Sequence, residues 1–275
     1  MYFFLKIKFI VFSLFLTCNE VYGAEIEIIE KQYLDSIGIL ISIKGDIEIG
    51  DTKKLLKVLR HEVSNGNRLS SMPEEIVITS NGGSFEEALR MGKFIRASLI
   101  PVVAKNYCYS SCFIILMSSV EKSKDFSKNG TSIGIHRPYY EKKYFSNLSI
   151  LEANKRYDAL QEITKSFLMK MNVSISIIDK MFRTSSDKNY LLNNQELKQV
   201  LANTPAYEEW INSKCTKVTE AEQEDLFVIY LDFDGKEKLT KGYMDYLIDK
   251  DHKYTNCKKH NTFKVFKSVI KEWNI

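Results

Sequence analysis

The sequence predicts an α/β fold with a mainly parallel sheet. Three observations carry that expectation. Short apolar, β-branched runs alternate with stretches of helical periodicity from residue 25 to residue 135. The chain is 275 residues long and 44% hydrophobic, enough to bury a substantial core. Its 4 prolines and 12 glycines argue against a disordered or collagen-like chain.

The start of the chain reads as an export signal. Lys6 and Lys8 form a basic segment, Phe9 to Leu16 (FIVFSLFL) an apolar run too short to span a bilayer comfortably, and Val21-Tyr22-Gly23 a set of tolerated residues at a cleavage site. Cleavage there gives a mature chain beginning at Ala24, and residues 1–23 become a signal peptide; an uncleaved membrane anchor is the alternative. Cys18 suggests a lipoprotein site, but Phe15, Leu16 and Thr17 make a poor lipobox. The expected location is therefore periplasmic or extracellular.

The elements follow in order. Residues 25–49 (EIEIIE, then IGILISIKGDIEI) look like two or three strands. Thr52 to Ser64 places Leu55, Leu56, Leu59 and Val63 at helical spacing. Glu75 to Thr79 is a short apolar strand that runs through Ser80 into the turn Asn81-Gly82-Gly83-Ser84. A helix opens there, with Ser84 and Glu87 written as a capping box and Ala88, Met91, Phe94 and Ile95 on its apolar face. Ile100 to Ala104 is the next strand, Ser110 to Met117 a compact apolar helix, and Ser132 to Ile135 a strand ending at His136. From Asn147 to Met171 an amphipathic helix repeats Ala153, Tyr157, Leu160, Ile163, Phe167 and Met171 at steps of three and four. Shorter helices are expected over Ser174 to Met181 and Gln195 to Leu201. These segments make one domain, residues 24–205. Beyond Pro205 the character changes, and residues 206–275 read as a small C-terminal extension with a strand-like LFVIYLDF segment and a Lys-rich tail.

The formal net charge is +4, with Lys and Glu interspersed along much of the chain. That pattern describes a solvated surface and not a nucleic-acid footprint. Four of the cysteines lie outside the signal: Cys108, Cys112, Cys215 and Cys257. In an exported chain they permit disulfides. Four cysteines allow three pairings and the sequence does not choose among them, with buried thiols as a further alternative. Cys108–Cys112 and Cys215–Cys257 are favoured because each pair lies within one region. A staple in the tail would help a segment too short to support a strong core alone.

Three features carry possible chemistry. The Gly82-Gly83 turn tolerates unusual dihedrals and lets backbone donors approach a substrate. Ser110, within Tyr107-Cys108-Tyr109-Ser110-Ser111-Cys112, stands between a strand and an apolar helix, a place for a helix cap or for an exposed nucleophile. Ser111 is a rival nucleophile on sequence alone. His136 ends a strand and precedes Arg137-Pro138, a position that fixes a base and exposes it. His61, His252 and His260 have no comparable setting and read as surface residues.

Together, the segments ITSNGGSFEEALRMGKFI, NYCYSSCFIIL and SIGIHRPYY resemble the Clp-protease/crotonase superfamily, and most of all its exported or membrane-linked ClpP-like proteins. The resemblance covers about residues 35–205. It implies repeated β-β-α units, with Ser110 as nucleophile, His136 as general base, and the backbone N–H groups of Gly83 and Ser111 as oxyanion donors. Asn106 stands where the family's serine motif has its usual glycine. The family's acid falls within Thr184 to Leu191. Asp187 is the nearest carboxylate there, although strict alignment places Lys188 at that position, and Asp179 on the preceding helix is a more distant rival.

The resemblance implies an exported serine peptidase that cleaves peptide bonds through a Ser-His(-Asp) acyl-enzyme. No cofactor, metal or nucleotide is implied. No Walker motif is present, and no ATPase partner is expected. Peptide or protein substrates are expected, with a homo-oligomer or a membrane-protein partner as further possibilities. Two alternatives stand beside this reading: a noncatalytic relative that binds peptides or assembles with a membrane partner, and an acyl-CoA enzyme of the crotonase type.

Overall fold

The computed structural model describes residues 23–32, 37–64, 72–125, 130–140, 142–231 and 239–274. Its elements, in chain order, are β1 (Glu25–Gln32), β2 (Ile37–Lys44), α1 (Asp51–Ser64), β3 (Glu75–Ser80), α2 (Phe85–Ser98), β4 (Val102–Tyr109), α3 (Ser111–Ser118), β5 (Lys122–Lys124), β6 (Ser132–Ile135), α4 (Ile150–Lys170), α5 (Ile175–Arg183), β7 (Tyr190–Leu191), α6 (Asn194–Val200), α7 (Pro205–Asn212), α8 (Glu220–Leu231) and α9 (Lys241–Glu272).

The sheet runs β1-β2-β3-β4-β6-β7, with β5 beside the first half of β4 and β6 beside its second half. Strands β2 through β6 are parallel; β1 and β7 add antiparallel edges. This is the α/β architecture predicted, with β-β-α units, a mainly parallel sheet and helices flanking it. Parallel pairing follows from the helices between strands, because a crossover returns the chain to the same end of the sheet.

Burial explains the sequence pattern. Ile76, Ile78, Val102 and Ala104 are fully buried at the centre of the sheet. Helix α3 is buried on every side, from Ser111 to Ser118, as its nearly unbroken apolar run requires. Helix α2 lays Ala88, Met91, Phe94 and Ile95 into the same core.

Two local expectations need correction. The Ser84–Glu87 capping box is half formed: Ser84 Oγ accepts the Glu87 N–H at 3.3 Å, but the Glu87 carboxylate turns away, accepting the Thr52 N–H at 2.7 Å and pairing with Arg90 at 2.6 Å. Glu87 thus ties the start of α1 to α2. The strand-like LFVIYLDF segment is helical through Leu231. A short apolar run does not distinguish strand from helix; here Leu226 and Ile229 pack against Leu247 of α9 and Val218.

Both favoured disulfides are present, Cys108–Cys112 and Cys215–Cys257. The second joins the segment after α7 to α9. The far end of α9 returns to the main core: Phe266 and Val269 are buried in it, and Trp273 meets Phe94 edge-on with ring centroids 5.2 Å apart. No helix among the described residues is long and apolar enough to cross a membrane.

Candidate active site

The C-terminal ends of β3, β4 and β6 lie side by side, and each delivers one part of the site. Strand β3 leads into the glycine turn. Gly82 and Gly83 have φ of 109° and 130°, a region that favours glycine. A side chain at Gly83 would place its Cβ 2.2 Å from the Ile47 carbonyl oxygen, and one at Gly82 would lie 2.6 Å from Ser110 Cβ. The turn is fixed by a short parallel bridge, with Ile47 N–H donating to the Gly82 carbonyl and Ser84 N–H to the Ile47 carbonyl, both at 2.6 Å. The bridge engages the groups on either side of Gly83, so its own N–H faces away from Ile47.

Strand β4 leads into Ser110. Its N–H donates to the Gly134 carbonyl at 3.1 Å, and its carbonyl accepts the Phe113 N–H at 2.9 Å. Ser110 has φ 55° and ψ −124°, outside the comfortable range for a residue with a side chain, and its hydroxyl makes no capping bond to α3. A serine recruited to cap the helix would bond the first-turn amides. This one stands half-buried with its oxygen unengaged.

Ser111 behaves differently. It is 4% exposed, and its Oγ donates to the Gly83 carbonyl at 2.7 Å. That bond occupies the hydroxyl and ties the glycine turn to α3. The Ser111 N–H is the first of the helix, one of the four that helix geometry leaves without an intrahelical acceptor. The backbone N–H groups of Gly83 and Ser111 are thus left outside the Ile47 bridge and the α3 ladder. Asn106 takes φ 60°, a conformation that asparagine tolerates well.

Strand β6 delivers the histidine. Its register pairs Tyr109 with Gly134, so the neighbouring positions put Ser110 beside Ile135 with His136 one residue further along. His136 is half-buried, and its Nδ1 lies 2.9 Å from the Arg137 carbonyl oxygen. A carbonyl only accepts, so this bond requires the proton on Nδ1 and leaves Nε2 as the free base. The Tyr139 ring packs beside the imidazole with centroids 5.9 Å apart. Gly134 is glycine for a local reason, since a Cβ there would meet the Tyr109 ring at 2.7 Å.

The carboxylate expected from sequence makes its hydrogen bond within its own loop. Asp187 is exposed and accepts a short hydrogen bond from Ser185 Oγ. That bond, its own backbone N–H and the charges of Lys188 and Arg137 hold its carboxyl below the usual range. Lys188 and Asp179 are also exposed, as are His252 and His260 in the tail. His61 lies on α1.

The register of the last strand points instead to Asn189, an exposed residue that the sequence reading did not weigh. The antiparallel register pairs Gly134 with Leu191 and Ile135 with Tyr190, so its continuation sets Asn189 opposite His136. A Cβ built on Gly134 would lie 3.2 Å from Asn189 Cβ, which places Asn189 on the Gly134 face of the ladder, the face His136 shares. Tyr190 is anchored in turn: its hydroxyl accepts from Lys180 Nζ at 3.1 Å and donates to Glu196 at 3.0 Å. Strand β7 is only 2 residues long, too short to show a period. The signal that could have found it lies further on, in the Asn193–Glu196 capping box that fixes where α6 begins and hence where the strand before it ends.

No family model matches this chain, and no curated protein matches it. Solved structures do. ClpP1 from Listeria monocytogenes shares 22% identity over 58% of this chain and 86% of its own, with a TM-score of 0.41. A mutant of 1510-N, a membrane-bound stomatin-specific protease, shares 19% over 64% of this chain and 83% of its own, with a TM-score of 0.39. The ClpP catalytic domain from Plasmodium falciparum shares 21% over 59% of this chain and 80% of its own, with a TM-score of 0.39. These likenesses are too distant to assign an activity.

Proposed function

We propose that the protein is an exported serine peptidase acting without ATP, with Ser110 as nucleophile and His136 as general base. The observation that carries the reading is the contrast between adjacent serines. Ser110 has an unengaged hydroxyl on a backbone that few residues adopt, whereas Ser111 spends its hydroxyl on Gly83. Strained backbone of this kind persists where surrounding structure over-determines it, and it clusters at active sites.

In the reaction, Ser110 Oγ attacks the carbonyl carbon of a peptide bond while His136 Nε2 takes its proton. The carbonyl oxygen becomes an oxyanion, met by the N–H groups of Gly83 and Ser111; one such donor is worth about 3 kcal/mol in a comparable site. The imidazolium then protonates the leaving amine. Water attacks the acyl-enzyme by the same route and restores Ser110. The Nδ1 proton is held by the Arg137 carbonyl at rest, and Asn189, one step along the β6–β7 register, is the proposed acceptor if the ring turns. Neither acceptor carries the charge that an aspartate would offer an imidazolium, so the reading implies a slow enzyme. Two disulfides fit a chain that matures in an oxidising compartment, with Gly23–Ala24 as the processing site.

The test is reaction with a fluorophosphonate probe. Wild type and Ser111→Ala should be labelled and Ser110→Ala should not; equal labelling of Ser110→Ala and wild type overturns the mechanism. The exposed position of Asp187 favours one second reading, a noncatalytic peptide-binding relative. It predicts no labelling of any form but saturable binding of peptides.

A further inference from the structure

We infer that cutting the Gly23–Ala24 peptide bond installs a buried ion pair between the new Ala24 α-ammonium and Asp51, and that this pair locks the loop holding the Gly82–Gly83 turn. The inference rests on the exported reading above.

The receptor for the new terminus is already built. Ala24 is 1% exposed and packs within the main core, an unusual place for the first residue of a mature chain. Its backbone nitrogen lies 3.0 Å from Asp51 Oδ2, and Asp51 is fully buried at the first turn of α1. Oδ2 also accepts the Glu48 N–H at 2.8 Å, and Oδ1 lies 2.8 Å from Lys54 Nζ. Lys54 Nζ reaches the Ala24 carbonyl as well, at 3.3 Å. The Lys54 side chain is 49% exposed, so solvent weakens its compensation of the buried carboxylate. A buried carboxylate calls for a cation and for donors. The uncut chain offers one amide N–H from Ala24. The cut chain offers an ammonium at the same atom.

The preceding residue fits the same account. A Cβ on Gly23 would lie 2.6 Å from Asp51 Oδ1 and 2.9 Å from Glu48 Cβ, so the chain entering the site has no room for a side chain there. Departure of Gly23 frees the space against Oδ1 into which the ammonium can direct a second proton. The chemistry is hydrolysis by the processing peptidase that acts during export, before folding closes the site. One water is consumed, Gly23 keeps the new carboxylate, and Ala24 keeps the amine, which takes up a proton at neutral pH.

The consequence reaches the active site through few bonds. Asp51 Oδ2 holds Glu48, and the Asp51 N–H returns to the Glu48 carbonyl at 3.1 Å. Ile47, one residue before Glu48, makes both hydrogen bonds that fix Gly83. Thr52, one residue after Asp51, donates to Glu87 in the first turn of α2, just beyond the same glycines. The terminus therefore supports the oxyanion turn from two sides without touching substrate; Ala24 and Asp51 are positioning residues.

The experiment compares folded protein beginning at Ala24 with protein beginning two residues earlier, at Tyr22, each with Asp51 and with Asp51→Asn. Mass spectrometry of the exported protein first locates its terminus. The Ala24 form should melt higher than the extended form by about 3 °C or more, and react with the fluorophosphonate roughly 10-fold faster, the order of a supporting rather than a reacting group. Asp51→Asn should erase both differences. An exported protein that starts elsewhere than Ala24, or two forms that melt and label alike, overturns the inference. If Asp51→Asn does not fold, the two native-sequence forms decide alone. If no form labels, the peptidase reading fails while the melting difference still tests the ion pair.

Discussion

Ser110 holds a conformation that a side chain disfavours, and stability must be given up to keep it there. A residue confined to such a region costs about 1–3 kcal/mol. Glycine has no such penalty at φ 55°. Ser110→Gly should therefore abolish labelling yet melt at or above Ser110→Ala, by roughly 1 kcal/mol in thermal unfolding. A glycine variant clearly less stable than the alanine variant would show that the backbone is not strained. Ser111→Ala deletes the bond to the Gly83 carbonyl but keeps the N–H, so a loss of about 1 kcal/mol in stability should accompany largely retained labelling. The acid-position residues separate by register and not by charge. Asp187→Ala should leave the labelling rate within about 2-fold, whereas Asn189→Ala should lower it several-fold, and Asn189→Asp should raise it by stabilising the imidazolium. Equal effects of Asp187→Ala and Asn189→Ala on the pH profile of labelling would remove Asn189 from the site.

At the scale of elements, the core α/β layers were legible because their signals are local. A glycine turn after a β-branched run, a serine cap and a run of helical spacing each point to one structure, as around Ser84 and α2. The two-residue strand β7 has no period, and its place depends on pairing with β6 across more than 50 residues of chain. That is why Asn189 was not weighed: the resemblance set the acid within Thr184 to Leu191, and Asp187 is the nearest carboxylate there. Helix α8 was missed for a related reason, since its apolar run gains a direction only from α9. The contact between those helices makes a pH prediction. Glu222 accepts both a bidentate contact from Lys250 at 2.7 Å and the Thr219 N–H at 2.6 Å, and the Lys250 bond leads in drawing its pKa down to about 2. A carboxyl lowered in the folded state stabilises above its unfolded value, 4.5, and loses that contribution as pH falls toward 2. The α8–α9 pair should thus loosen across that window, and Glu222→Gln should flatten the dependence. Hydrogen exchange of α8 amides, measured with and without the substitution, reads it directly.

The whole molecule is joined by α9, whose 32 residues run for about 48 Å. The first half of α9 is held in the tail through Leu247 and its middle through Cys257; its last turns carry Phe266 and Val269 into the core, with Trp273 packed against it beside α2. Composition alone suggested an appended segment, because the change in character after Pro205 is visible and the return of the helix to α2 is not. Docking on α2 connects the tail to the candidate site, since α2 begins just after the glycine turn and Phe94, on the same helix, meets Trp273. Phe266 is 1% exposed, and truncating a buried phenylalanine costs about 3–5 kcal/mol. Phe266→Ala should therefore lower the melting of the entire protein in one transition, with labelling of Ser110 lost in parallel. Tyr246 lies on the same helix but is 52% exposed, so Tyr246→Ala should leave both almost unchanged. Calorimetry distinguishes this from an independent tail: a separate, early transition in Phe266→Ala, with the main transition and labelling preserved, would mean that α9 decorates the core without supporting it. A single lowered transition would mean that the last turns of the chain help to hold the helix that follows the glycine turn.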